Sequence, residues 1–303
     1  MFSFLTPLQF FTLDTTLILT LLVVSVHMTF RAGLFSMATM GFAAVGGYGT
    51  AVLVTKYDWP TFAGIGAAVV MSAVLAALFA APVLRLRGTY FALGTVALAQ
   101  AIVVGISNLD ITNTTLGISG IPRVVNTWHL VVILGAVFLF LQLESRSRFG
   151  RALSAVRLDE RTANGLGINV KMLRFSTFVS AAAIAGLAGA LEAHRTTVIS
   201  PEQYGFGFFI PLLTYALVGG NGHWLGPVLT AWVLIALRRW FAFEEQHWED
   251  LLYGGLLILV MLLVPAGLTD PKLLRRFSSG RRRRKLAGEV SAPAQPLRVP
   301  VGS

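Results

Sequence analysis

ESRSRFGRALSAVRLDERTANGLGINVKMLRF, residues 144–175, is the long polar stretch between two apolar halves of the chain, and its reading decides the fold. It carries Arg146, Arg148, Arg151, Arg157, Arg161, Lys171 and Arg174 against Glu144, Asp159 and Glu160. The hydrophobic sequence on either side is long enough to cross a bilayer, since about 20 apolar residues in a helix span the roughly 30 Å hydrocarbon core. With both flanks read as spans, the stretch itself lies outside the lipid. Its basic character then assigns it to the cytoplasm, where the loops of membrane proteins accumulate Lys and Arg.

Composition agrees. The 303 residues are 55% hydrophobic and only 13% charged, against about 25% charged in ordinary soluble domains. Mean hydropathy is +0.72. With the same ruler, spans fall near 11–30, 34–54, 61–83, 89–107, 128–143, 175–194, 207–220, 225–242 and 250–268. The fold class is therefore all-α: a polytopic membrane protein of about nine (eight to ten) transmembrane helices. The runs lack the alternation of barrel strands. The first apolar run has no basic stretch before it and reads as a retained span.

Counting outward from a cytoplasmic 144–174 puts Arg31, Arg85 and Arg87 inside, together with a C-terminal segment rich in Arg. Nineteen of the 24 Lys and Arg then lie on one side, leaving Lys56, Arg123, Arg195, Arg238 and Arg239 outside. The N-terminus is expected outside and the C-terminus in the cytoplasm. Residues 1–270 form the transmembrane domain. Residues 271–303, with RRRRK at 281–285, read as a basic, disordered cytoplasmic tail that attracts anionic lipid headgroups. The net charge of +10 thus marks topology and not nucleic-acid binding.

Catalytic constellations are missing from the sequence. There is no cysteine, no HExxH, no GxSxG and no GxxxxGK[ST], and the five histidines have no partner at metal-ligand spacing. The chain reads as a transport subunit without its own nucleotide site, and no metal is expected. Two glycine-rich stretches stand out: GLFSMATMGFAAVGGYGT (33–50) and GFGFFIPLLTYALVGGNGHWLG (205–226). Small residues let helices approach closely, and interrupted helices near the midplane line transport paths. Both readings stay open. Ser36, Thr39, Gly46, Gly47, Tyr48, Gly219, Gly220 and Asn221 are the path candidates they supply, with Gln100 as a polar group deep in an apolar span. Glu192, His194 and Arg195 sit at the outer end of the sixth span and read as solvated at the interface. Asp14 and Glu192 are the acidic groups available to an ion-coupled carrier, and both read as interfacial.

The order of motifs resembles the inner-membrane permeases of branched-chain amino-acid ABC importers of the LivM type. The matching stretches are residues 33–51, LRLRGTYFALGTVALAQ (84–100), TTLGISGIP (114–122), FGRALSAVRLDERTANGLGINVKMLRF (149–175), SAAAIAGLAGAL (180–191), ISPEQYGF (199–206), LVGGNGHWLGPVL (217–229) and VPAGL (264–268). The resemblance implies a bacterial inner-membrane subunit paired with a LivH-like permease. It implies two cytoplasmic ABC ATPases, which use the ATP, and a periplasmic or extracellular substrate-binding protein. No cofactor is expected on this chain itself. The resemblance also identifies 150–167 as the loop that seats a short helix on the ATPase, with Gly150, Arg151, Ala152, Val156, Arg157, Asp159, Glu160, Gly165 and Gly167 as its residues. Ala152, Leu153, Val156 and Ala163 are expected to offer an apolar contact face, and Gly165 and Gly167 to end the helix.

Departures from the family pattern bear on the solute. Ala38-Thr39 replaces a common Gly-His pair, and Ile111 to Thr114 read ITNT where LTGG is usual. Urea, short amides and aromatic acids are solutes of similar permeases and stand beside branched-chain amino acids. A standalone secondary transporter and a membrane-embedded enzyme are the other classes, and the second lacks any catalytic constellation.

Overall fold

A computed structural model of the chain describes residues 7–112, 117–220 and 223–241, with the isolated Gly255. Ten α-helices follow one another: α1 (Pro7–Arg31), α2 (Thr39–Lys56), α3 (Thr61–Val83), α4 (Thr89–Ser107), α5 (Thr127–Arg146), α6 (Arg148–Leu158), α7 (Glu160–Gly165), α8 (Val170–Thr196), α9 (Phe206–Gly219) and α10 (Leu225–Phe241). The only sheet among the described residues is a two-residue antiparallel pair, β1 (Ile118–Ser119) with β2 (Val198–Ile199).

Helices therefore cover eight of the nine expected spans; of the ninth, 250–268, only Gly255 is among the described residues, and the tail lies outside them. Five of them, α1, α3, α4, α5 and α8, are long and apolar enough to cross a membrane. By contrast α9 has 14 residues, about 21 Å at 1.5 Å per residue, which is short of the hydrocarbon core.

The centre of the bundle is α8, which packs against α1, α2 and α3. Its sequence explains why. Ala181, Ala182, Ala185, Gly186, Ala188 and Gly189 are all buried, so its backbone is open to close approach. A Cβ at Gly46 of α2 would overlap the Gly186 carbonyl, and one at Gly189 would overlap the Ala43 carbonyl. The Ser25 hydroxyl of α1 donates to the Ala181 carbonyl at 2.8 Å, and the Ser72 hydroxyl of α3 donates to Phe42 of α2 at 3.1 Å. Where lipid offers no hydrophobic drive between helices, close backbone contact and such hydrogen bonds hold the bundle.

The helices alternate in direction, so the molecule has two ends. One carries Arg31, the 32–38 and 84–88 connections, the 144–169 segment and the α9–α10 turn. Ten of the thirteen Lys and Arg whose side chains are described lie at this end. The other end carries 57–60, the β1–β2 pair and the 197–205 segment. There Gly117, with φ of 76°, runs against the Ile199 carbonyl so closely that a side chain would collide.

Candidate coupling surface and buried polar groups

The polar stretch opens with a tight corner. Ser147 ends α5 and begins α6: its hydroxyl donates to the Glu144 carbonyl at 2.6 Å and accepts from the Gly150 N–H at 3.2 Å. Gly150 is required here, because a Cβ would overlap the Glu144 carbonyl. Glu144 itself takes Arg31 of α1 in an ion pair of 3.0 Å, with the Glu144 side chain buried and that of Arg31 11% exposed. The base of the loop is thereby pinned to the bundle.

Next comes α6, which is amphipathic, with Leu153 and Val156 buried and Arg151 and Arg157 exposed. Asp159 breaks the helix and caps α7: its carboxylate accepts from the N–H groups of Arg161 at 2.8 Å and Thr162 at 3.3 Å, and from the Thr162 hydroxyl at 2.6 Å. The Thr162 hydroxyl and these N–H groups hold the Asp159 carboxyl below its ordinary pKa. Glu160 accepts both terminal nitrogens of Arg174 at 3.1 and 3.0 Å, a bidentate clamp from α7 to α8. The element ends as expected. Gly167 has φ of 80°, the Gly167 N–H donates to Asn164 and the Ile168 N–H to Ala163, the paired bonds of a Schellman motif. Gly165 ends α7 with open space around its Cα.

One expectation is corrected. The apolar residues proposed as a contact face point into the protein: Leu153, Val156 and Ala163 are each no more than 3% exposed, and Ala152 packs partly beside them. They join the cluster that includes Phe178 and Ala182 of α8. The outward surface instead shows Leu158, 88% exposed, and Leu166, 75% exposed, among Arg151, Arg157 and Arg161. A helical stripe in a sequence tells that something apolar is covered, not whether the cover is the same chain.

The path candidates separate into three places. Ser36 and Thr39 are buried at the start of α2, where the Ser36 hydroxyl accepts from the Ala38 N–H at 3.3 Å and the Met37 N–H donates to Thr95 of α4 at 3.0 Å. Gly46, Gly47 and Tyr48 lie midway along α2. Gly46 faces Gly186, Gly47 faces Ile199 and Tyr204, and the Tyr48 ring sits 6.4 Å from that of Tyr204. Gln100 is half-buried on α4. At the end of α9, Gly219 lies against the Pro227 backbone, and Gly220 takes φ of 76°. Asn221 is outside the described residues. Both glycine-rich helices run unbroken over 39–56 and 206–219, so irregular backbone is confined to 32–38 and the α9–α10 turn. In that turn Trp224 donates from Nε1 to Gln142 at 3.2 Å, and burial, then the Arg31 charge, hold His223 below its ordinary pKa.

The acidic and basic groups at the opposite end are not solvated, contrary to expectation. Arg195 pairs with Asp14 at 3.2 Å, donates to the Phe11 carbonyl at 2.6 Å and lies 4.0 Å over the Phe11 ring. Asp14 and Arg195 are 4% and 5% exposed. His194 is fully buried, bridging the Thr50 hydroxyl and the Pro122 carbonyl, each at 3.0 Å. Glu192 is half-buried within range of the Arg195 charge. Burial, then the Glu192 charge, push the Tyr204 phenol well above its ordinary pKa. No local pattern announces a pair separated as widely as Asp14 and Arg195. Among the described residues no group of three or more His, Asp or Glu is placed to hold a metal.

A bundle of apolar helices joined by a capped, basic extramembrane element defines a multi-pass membrane protein. Over residues 9–261 the chain matches the family described as branched-chain amino acid transport system / permease component, and it belongs to that family. It is 29% identical over 280 residues to the high-affinity branched-chain amino acid transport system permease protein LivM of Escherichia coli, covering 80% of this chain and 66% of that protein. BraD of Pseudomonas aeruginosa, similarly named, is 35% identical over 164 residues, 52% of each chain. LivH of Escherichia coli is 37% identical over 123 residues, 40% of each. The chain thus spans just under two thirds of the length of LivM. No solved structure matches.

Proposed function

We propose that the chain is the transmembrane permease subunit of an ATP-binding-cassette importer and that it carries branched-chain or related amino acids across a bacterial inner membrane by alternating access. Family membership and the printed function of the LivM, BraD and LivH relatives support the transport role. The single observation that carries the mechanism is the α6–α7 element. It is a folded, self-capped unit, clamped to α8 by the Glu160–Arg174 pair and rooted in the end of α5 that Arg31 of α1 holds through Glu144, and it presents two exposed leucines among arginines. A surface so built transmits a push from a docked partner to the bundle, because the Glu160–Arg174 pair and the packing of Leu153, Val156 and Ala163 against α8 leave it little freedom to move alone.

In this reading the basic end faces the cytoplasm and the N-terminus is outside, with about nine (eight to ten) spans in all. Two ATPase subunits supply the energy, a LivH-like permease completes the path, and a substrate-binding protein delivers solute at the other end. Ser36, Thr39, Gly46, Gly47, Tyr48, Gln100, Gly219, Gly220 and Asn221 are the residues assigned to the path. Urea, short amides or aromatic acids are the alternative solutes, given Ala38-Thr39 and the ITNT sequence. The half-buried Glu192 favours one second reading, an ion-coupled carrier. Reconstituted uptake separates the two: dependence on ATP and the ATPases supports the importer, and uptake driven by a proton or sodium gradient by this chain alone overturns it.

A further inference from the structure

Between the α1–α2 connection, the start of α4 and the α7–α8 junction lies a cavity of about 600 Å³. Phe35, Leu86, Phe91, Leu93 and Val96 form an apolar wall, and Arg87 lies at the rim with the start of α4. The cavity's other arginine, Arg174, already gives its terminal nitrogens to Glu160. Arg87 is exposed, and among the described residues no carboxylate lies within 4.0 Å of it. The first N–H groups of α4 receive no side-chain cap at Gly88 and add positive potential at the same rim.

The geometry points to an occupant with one charged end. We propose that this cavity holds a single anionic phospholipid, its phosphate at Arg87 and an acyl chain along Leu93 and Val96. Thr89 to Val96 is eight residues, seven rises of about 1.5 Å or roughly 10 Å along the helix axis. That depth takes a glycerol and the first acyl carbons below an interfacial headgroup. Leu93 in the cavity wall is 61% exposed, so the cavity is open on that side of α4. A docked protein helix would need an apolar stripe along its whole seat, whereas here one unpaired cation stands at the end of a short apolar wall. The site adjoins the Glu160–Arg174 clamp, so a bound lipid would brace the α7–α8 junction.

The test is lipid retention by the full chain purified in detergent and exchanged into vesicles of phosphatidylglycerol or phosphatidylcholine, read by native mass spectrometry. Phosphatidylglycerol is expected to be retained in preference, Arg87→Ala to weaken its retention about fivefold, and Arg87→Lys to keep it. Arg85→Ala, outside the cavity, is expected to leave retention unchanged. Leu93→Trp fills the wall and is expected to expel lipid with Arg87 intact, which keeps the test decisive if Arg87→Ala fails to fold. Equal retention of both lipids, an equal loss in Arg85→Ala, or lipid retained in Leu93→Trp overturns the proposal. So does displacement of the lipid by a permease or ATPase subunit cross-linking to position 93. None of these readouts involves transport, so they stand or fall apart from the transport assignment.

Discussion

Arg31 at the end of α1 and Glu144 at the end of α5 form a buried ion pair across 3.0 Å, 113 positions apart in the chain. Removing one partner leaves the other charge buried and unpaired. Arg31→Met alone is expected to destabilise by about 3–5 kcal/mol. Arg31→Met with Glu144→Leu is expected to recover much of that, because neither charge then remains. Thermal unfolding of the four members of this double-mutant cycle in detergent checks both statements.

Gly46 and Gly186 set the distance between α2 and α8. Gly46→Leu is expected to force the helices apart and cost about 1–3 kcal/mol, with loss of transport in the assembled system. Gly66 of α3 is the control, since a Cβ there meets nothing within 4 Å. Gly66→Ala is expected to be neutral or to stabilise by up to about 1 kcal/mol through helix propensity. Unfolding midpoints of the two variants decide it.

Asp159 caps α7, and its pKa is lowered in the folded protein. A carboxylate with a lowered folded pKa contributes stability that is present above its unfolded value, ordinarily 3.8, and lost as pH falls through the folded value. Hydrogen exchange at the N–H groups of Arg161 and Thr162 is therefore expected to stay slow at neutral pH and to quicken, relative to the rest of the loop, in strong acid. Asp159→Ala should show the quickened exchange at neutral pH, and Asp159→Asn should show it weakly, since the amide oxygen still accepts.

The helices were legible because lipid imposes a length and a composition, so Thr61–Val83 and Thr89–Ser107 match the expected boundaries residue for residue. The loop's breaks were legible as chemistry: Gly165 and Gly167 were expected to end a helix, and they do. What could not be read was direction. Leu153 and Val156 form a stripe, but only the tertiary fold shows that α8 covers it. Asp14, His194 and Arg195 look interfacial in sequence because charge in lipid is costly. They are buried because each has a specific partner far away in the chain. The glycines of α2 fit both packing and a path. The structure gives Gly46 a packing role against Gly186, and the path assignment stays a proposal for functional tests.

The exposed surface of α6–α7 is the account's central claim, and co-purification tests it most directly. The full chain, co-expressed with the proposed LivH-like permease and ABC ATPases, is expected to retain the ATPases through affinity purification. Arg157→Glu with Arg161→Glu, or Leu158→Asp with Leu166→Asp, is expected to insert normally and lose them. ATPases retained at the wild-type level by both double variants would contradict the assignment of this surface.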